Sequence, residues 1–439
     1  MIRAIAAPAA RRSESSLVTE PISSLNPSPE GTLARQHRIH GWLIVGACFF
    51  LTLTLGETFW TFGVFFKPIQ QEFGWSRAVV SSIFTAFLMG YSISVIASGR
   101  LVDRFNPQPV LLVSALLIVA GLCLCSLGGA INHFRAFLFI VGLGSGATWA
   151  VPNTVVQRWF YGKKDAGIAL GIVISGVGAG ALIFAPLINF LIQNYGWRST
   201  FLLLGILFGM VVGGATFVLR SVPSGLRATA GGPETAELRT GGLIPAGNRR
   251  YASWAFAALV FVVVVGIFAF QVISAHMVPY VTDEGISPSA AAAALGLMGG
   301  FSIPGRLLSG LLSARLGWCR LLSLAYFGTA ASMLCLWWLR DIWMLHLFAF
   351  SYGLFHGMRV AAQMGVIPEI FGMRSLGELI GITTAAGQLI SSVAPYAAGA
   401  LFDATGSYSL AFLFILLLLT AAGVVAGFMK RIAAPKQRP

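Results

Sequence analysis

Five ionisable residues stand inside long apolar runs of this chain: Glu57, His276, Arg306, His356 and Arg359. Their types limit the chemistry. A guanidinium binds a carboxylate through two parallel hydrogen bonds, and a carboxyl or imidazole takes up and releases a proton. No activated nucleophile, metal-ligand cluster or phosphate loop accompanies them, so neither enzymatic chemistry nor a metal or cofactor is expected. His356, Arg359 and Gln363 are spaced i, i+3 and i+7, which on a helix makes one polar stripe on an otherwise apolar segment. Such a stripe must face protein or a cavity. Arg359 either lines a solute path or pairs privately with Glu57, and Glu57 is either a fixed counter-ion or a proton carrier. Arg306 is either a binding cation or half of a structural ion pair. Pro304 and Gly305, just before it, either loosen the helix and expose carbonyls or make a packing kink. His276, near the end of its run, either satisfies a helix end or touches substrate or proton.

The surrounding runs explain why these few charges matter. With 56% hydrophobic and 10% charged residues, the chain cannot present a water-facing surface. Runs of roughly 20 apolar residues suffice to cross a bilayer. They are continuous rather than alternating, which selects helices over barrel strands. The fold class is therefore an all-α membrane protein. Twelve spans are expected, near 41–66, 78–99, 108–130, 135–157, 165–193, 198–219, 251–281, 289–312, 320–339, 342–367, 376–402 and 408–430. An ionised side chain at mid-span costs about 3 kcal/mol, so each is a functional candidate.

The net charge of +14 is a topology signal. When alternate loops are assigned to opposite sides, 22 of the 29 Lys and Arg fall on one side. Five fall on the other: Lys67, Arg77, Arg135, Arg198 and Arg340. The remaining two are Arg306 and Arg359. The basic side is cytoplasmic, which predicts a multi-pass protein of the inner (plasma) membrane with both termini inside and no nucleic-acid partner. Residues 1–40 lack the apolar core of a signal peptide and are expected to form a disordered cytoplasmic tail. Cys48, Cys123, Cys125, Cys319 and Cys335 lie in spans without metal spacing and are expected to pack.

Residues 220–250 turn to Gly, Pro, Arg and Glu, the composition of a cytoplasmic linker. It separates two six-helix bundles, 41–219 and 251–430, followed by a short tail, 431–439. The halves match at an offset of about 210 residues. Gly99, Leu101 and Arg104 correspond to Gly310, Leu312 and Arg315, and Gly142-Leu143 corresponds to Gly353-Leu354. Six spans per half preserve orientation, so the repeat axis runs along the membrane normal and a solute path lies between pseudo-symmetric halves.

The string GRLVDRF at 99–105 resembles the signature loop of the major facilitator superfamily, with NPQPV in place of its following basic cluster. Within that superfamily, FGVFFKPIQQEFGWS (62–76), RWFYGKKDAGIALGIVISGVGAG (158–180) and YGWRSTFLLLG (195–205) are similar to the monocarboxylate transporters and their bacterial relatives, including the oxalate/formate exchangers. The resemblance implies the major facilitator fold, alternating access, a gating loop at Gly99, Asp103 and Arg104, and Arg306 as the cation for a substrate carboxylate. It makes spans 4 and 10 pore-lining, so Trp149, Tyr352, His356, Arg359 and Gln363 become substrate-path candidates together with Trp60 of span 1. Aromatics near that level, Phe59, Trp60, Phe62, Trp149, Tyr352 and Phe355, either pack or face lipid one by one, or together line a path for a bulky or aromatic acid. Where the family has a proton-linked Lys and an Asp, this chain has Trp60 and Ser302. Proton coupling would then run through Glu57 or His276. The expected function is transport of a small organic anion, monocarboxylate first, by a monomer in the bilayer. Dicarboxylate exchange is the alternative, and a non-transporting sensor is a reading from another class.

Overall fold

The computed structural model describes residues 29–160, 165–219, 254–371 and 376–433. The linker, Lys163 and Lys164, and residues 1–28 and 434–439 lie outside the described residues, as do the side chains of Asp103 and Arg104. The first half comprises α1 (Pro29–Phe73), α2 (Arg77–Arg104), α3 (Pro107–Ser126), α4 (Ile131–Ser145), α5 (Ala147–Trp159) and α6 (Ala166–Leu219). The second comprises α7 (Trp254–Asp283), α8 (Pro288–Leu316), α9 (Trp318–Trp337), α10 (Ile342–Phe371), α11 (Leu376–Ser391), α12 (Ala394–Thr405) and α13 (Ser409–Ala433). No strand occurs among the described residues. The described residues up to Gly41 form a unit separate from those from Trp42 onward, and α1 begins at Pro29, inside the stretch expected to be a tail. Proline suits a first helical position because its missing N–H would have no partner there.

Nine helical stretches among the described residues are long and apolar enough to cross a membrane. One of them, α6, holds two expected spans. Gly196 divides it with φ 77°, a left-handed value that glycine tolerates. α10, and α11 with α12, fall on the two remaining expected spans, which is consistent with twelve. Span 4 is broken at Gly146 into α4 and α5, and span 11 is broken ahead of Pro395, whose ring cannot continue the hydrogen-bond ladder. The outside of the bundle carries Leu116, Leu127, Phe217, Leu311, Trp343 and Leu417 in the open, a hydrocarbon-facing surface.

The repeat is visible in packing. α2 lies on α4 as α8 lies on α10, and α3 lies on α6 as α9 lies on α13. A Cβ on Gly142 would strike the carbonyl of Phe87, and one on Gly353 would strike that of Met298. Both members of the second pair lie 211 positions after the first. Small residues here let two helix backbones touch where no hydrophobic effect drives them together. The halves meet through α6 with α8, and through α2 with α11 and α12.

Gly353→Leu should therefore lower the stability of the detergent-solubilised protein by about 1–3 kcal/mol, the usual cost of overpacking. Gly381→Ala, whose Cβ meets nothing within 4 Å, should stay within about 0.5 kcal/mol of wild type. A thermal-unfolding series compares the two.

Candidate functional site

The stripe on α10 assembles as its spacing demands. Arg359 is buried, donating from Nη1 to Gln363 Oε1 at 3.3 Å and lying 3.5 Å from His356 Nδ1 through Nη2. Its guanidinium stands 5.9 Å above the Tyr326 ring of α9. Tyr326 is itself fixed by its hydroxyl, which donates to the Val262 carbonyl of α7 at 2.5 Å. Gly266, one turn further along α7, leaves the room Arg359 occupies: a Cβ there would collide with Nη1.

Aromatic rings from both halves close the stripe. Trp60 is buried, with its ring 4.7 Å from Phe270 and 5.5 Å from His356. Phe270 lies 4.8 Å from His356, and Tyr352 stacks on the imidazole at 5.9 Å. The other expected aromatics point elsewhere. Phe59 packs on Phe87 and Tyr91, and Phe62 on Phe84, all toward α2. Phe355 faces Gly328 on α9. Trp149 is half-buried on α5 and shares no ring contact with the group among the described residues.

Arg306 joins from α8, which runs unbroken through Pro304 and Gly305. Half-buried, it donates from Nη1 to the Ile174 carbonyl of α6 at 2.8 Å, while its enclosed Nε has no partner. The Nε edge, one side of the fork that grips carboxylates, is thus unfilled. The neighbour of Arg306, Gly305, brings α8 against the stripe's helix, since a Cβ there would strike the Leu354 carbonyl and lie 3.1 Å from the nitrogen of Met358, the residue before Arg359. Among the described residues no carboxylate lies within ion-pair distance of either guanidinium.

Glu57 does not join them. Its carboxylate is buried and accepts from Thr58 Oγ1 at 2.9 Å and Thr61 Oγ1 at 3.0 Å. His276 sits apart in a third place, with Nδ1 2.8 Å from the Tyr408 hydroxyl. Its Nε2 lies 2.8 Å from the Pro395 carbonyl and 3.2 Å from Ser81 Oγ. A carbonyl only accepts, so in the neutral ring Nε2 carries the hydrogen and Nδ1 accepts from Tyr408. The gating-loop residue Gly99 lies near the end of α2, where Phe105 N–H caps the helix on the Leu101 carbonyl at 2.7 Å. Sequence reasoning missed Gly266, Phe270 and Tyr326, which carry no charge and resemble any packing residue of a membrane helix. No metal-capable group of His, Cys, Asp and Glu occurs among the described residues.

Residues 48–351 match the family model described as Major Facilitator Superfamily. The chain is similar to monocarboxylate transporter 12 of Rattus norvegicus, 27% identical over 422 residues, covering 89% of this chain and 85% of that protein. It is 29% identical to monocarboxylate transporter 13 of Rattus norvegicus over 408 residues, 88% of each. It is 28% identical to monocarboxylate transporter 4 of Mus musculus over 387 residues, 85% and 79%. In fold it is similar to a bacterial homolog of the human lysosomal transporter Spinster, solved inward-facing and unoccupied. The TM-score is 0.65 at 18% identity, covering 90% of this chain and 95% of that one.

A desolvated cation without a counter-charge destabilises the protein that holds it, and an apolar isostere of similar volume often does not. Arg359→Met should therefore raise the apparent melting temperature of the ligand-free protein by about 2 °C or more, as a gain near 1 kcal/mol implies. A calorimetric or dye-based melt of both proteins in one detergent measures it.

Proposed function

Because the chain belongs to the Major Facilitator Superfamily, we propose that it carries small organic anions across the membrane by alternating access, with Arg306 and Arg359 as the cations that hold them. As a superfamily member it is a transporter rather than an enzyme, embedded in lipid and acting on a small organic solute. The observation that carries the anionic reading is the two guanidiniums without a carboxylate partner among the described residues. An anion between them would replace the missing counter-charge and lower the cost of closing a water-free site around it. The similarity to transporters named for monocarboxylates favours that substrate class. The second guanidinium favours a dicarboxylate as the other reading, because one carboxylate neutralises one cation.

Trp60, Phe270, Tyr352 and His356 form the apolar wall beside the cations, suited to the body of the acid rather than its charge. Gln363 orients Arg359. Glu57 is the candidate for proton coupling, since among the described residues no ion pair ties its carboxylate and two hydroxyls solvate it. The charge segregation supports cytoplasmic termini and a plasma-membrane location, and the protein acts as a monomer in this reading.

Uptake and counterflow of labelled mono- and dicarboxylates in proteoliposomes test the proposal, and transport of no organic anion would refute it. Arg306→Ala should reduce transport at least 100-fold while the protein remains inserted, the loss of a charge-assisted contact worth about 3 kcal/mol. Wild-type rates would remove Arg306 from the site. Glu57→Gln should abolish acceleration by an imposed pH gradient and leave counterflow at equal pH within about twofold. An unchanged response to the gradient would exclude Glu57 as the carrier.

A further inference from the structure

The N-terminus of α2 is held by the other half of the molecule. The backbone N–H groups of Arg77 and Ala78 donate to the two carboxylate oxygens of Asp403, at 2.9 and 2.8 Å. These donors have no partner within their own helix, and a carboxylate at a helix N-terminus also complements the helix dipole. The side chain of Arg77 extends the contact. Its guanidinium binds Asp283 at the end of α7 and lies 3.6 Å over the Phe402 ring and 5.0 Å over that of Tyr408. Lys67 of α1 reaches the same Asp283. One turn along α2, Ser81 meets His276, which Tyr408 and Pro395 hold in place. Lys67, Arg77, Ala78 and Ser81 all come from the first half, and their partners all come from the second.

Two features suit this junction to be made and broken. Gly399 permits the approach, since a Cβ there would stand 2.8 Å from the backbone of Arg77. Asp403 is exposed, so water can rehydrate its carboxylate and the freed N–H groups when the helices part. The sequence around it also repeats a pattern found elsewhere in the chain. Gly399, Leu401 and Asp403 reproduce the G-x-L-x-D order of Gly99, Leu101 and Asp103. The first copy ends α2 and the second ends α12, which meets the opposite end of α2.

We propose that Asp403, with the Asp283 bridge to Lys67 and Arg77, is the lock that closes this end of the path between the halves, and that it opens in each transport cycle. On the charge-segregation topology this end is extracytoplasmic. The lock rests on the alternating-access reading but on no choice of substrate. Asp403 is a positioning residue, acting on the equilibrium between states rather than on the solute.

The test uses spin-label distances in nanodiscs without added substrate, in a transport-competent background lacking the five native cysteines. One label pair, Gly129→Cys with Arg340→Cys, reports the locked end, and a second, Arg100→Cys with Arg320→Cys, reports the opposite end. Asp403→Ala should increase the long-distance population at the locked end at least threefold and shift the opposite pair to shorter distances. Asp403→Asn, nearly isosteric and able to keep a carbonyl acceptor, should move both in the same directions by less. Asp283→Asn should do likewise with the backbone cap intact. Distributions identical to wild type in all three variants would overturn the proposal. So would broadening at both ends without opposite shifts, the mark of general loosening. Opposite shifts would uphold the lock even if no organic anion were transported.

Discussion

A guanidinium held inside a bundle whose outer face is hydrocarbon, with no carboxylate among the described residues to neutralise it, is the constraint on which the rest depends. Arg359 is surrounded by a tyrosine ring, an imidazole and an amide, and Arg306 by a backbone carbonyl and an unfilled edge. Each of these partners moderates a positive charge and none cancels it. Uncompensated charge of this kind persists only where the surrounding structure enforces it.

The enforcement comes from helix packing. α10 can present His356, Arg359 and Gln363 inward because its other face lies against α8, with glycine at the crossing. Trp60 and Phe270 then seal the stripe from two different halves of the chain. A path between halves needs walls that touch without being fused, and ring-to-ring contact supplies that. Such contacts add roughly 1 kcal/mol beyond burial. The two halves therefore separate here at modest cost, whereas an ion pair across the same seam would resist opening.

At the far end of α2 the balance is different. Charged and capped contacts between the halves are concentrated where Asp403, Asp283, Arg77 and Lys67 meet. Water reaches Asp403 there, so the groups that separate are resolvated rather than stranded. Polar locks at a wet rim, and ring contacts beside the Arg306–Ile174 hydrogen bond away from it, make both states of a two-state interface accessible. His276 belongs to the rim, where both its nitrogens are engaged, and not beside the guanidiniums.

The sequence by itself determined the solvent, the helices, the glycine correspondence and the polar stripe. Each of these follows from rules local in the chain: an apolar run long enough for a bilayer, an internal repeat, a spacing of three and four on one helix. The correspondence of Gly142 with Gly353 was legible for the same reason, and packing gave it its meaning. The facing of one helix toward another was not legible, because it depends on partners hundreds of residues away. Only the tertiary structure turned Glu57 toward its own threonines rather than Arg359, and aimed Phe59 and Phe62 at α2. It also recruited uncharged Gly266, Phe270 and Tyr326 to the site and joined Asp403 to the first turn of α2. Composition fixes what a bilayer will accept, and rotation of each helix about its axis, set by packing, decides which side chains meet.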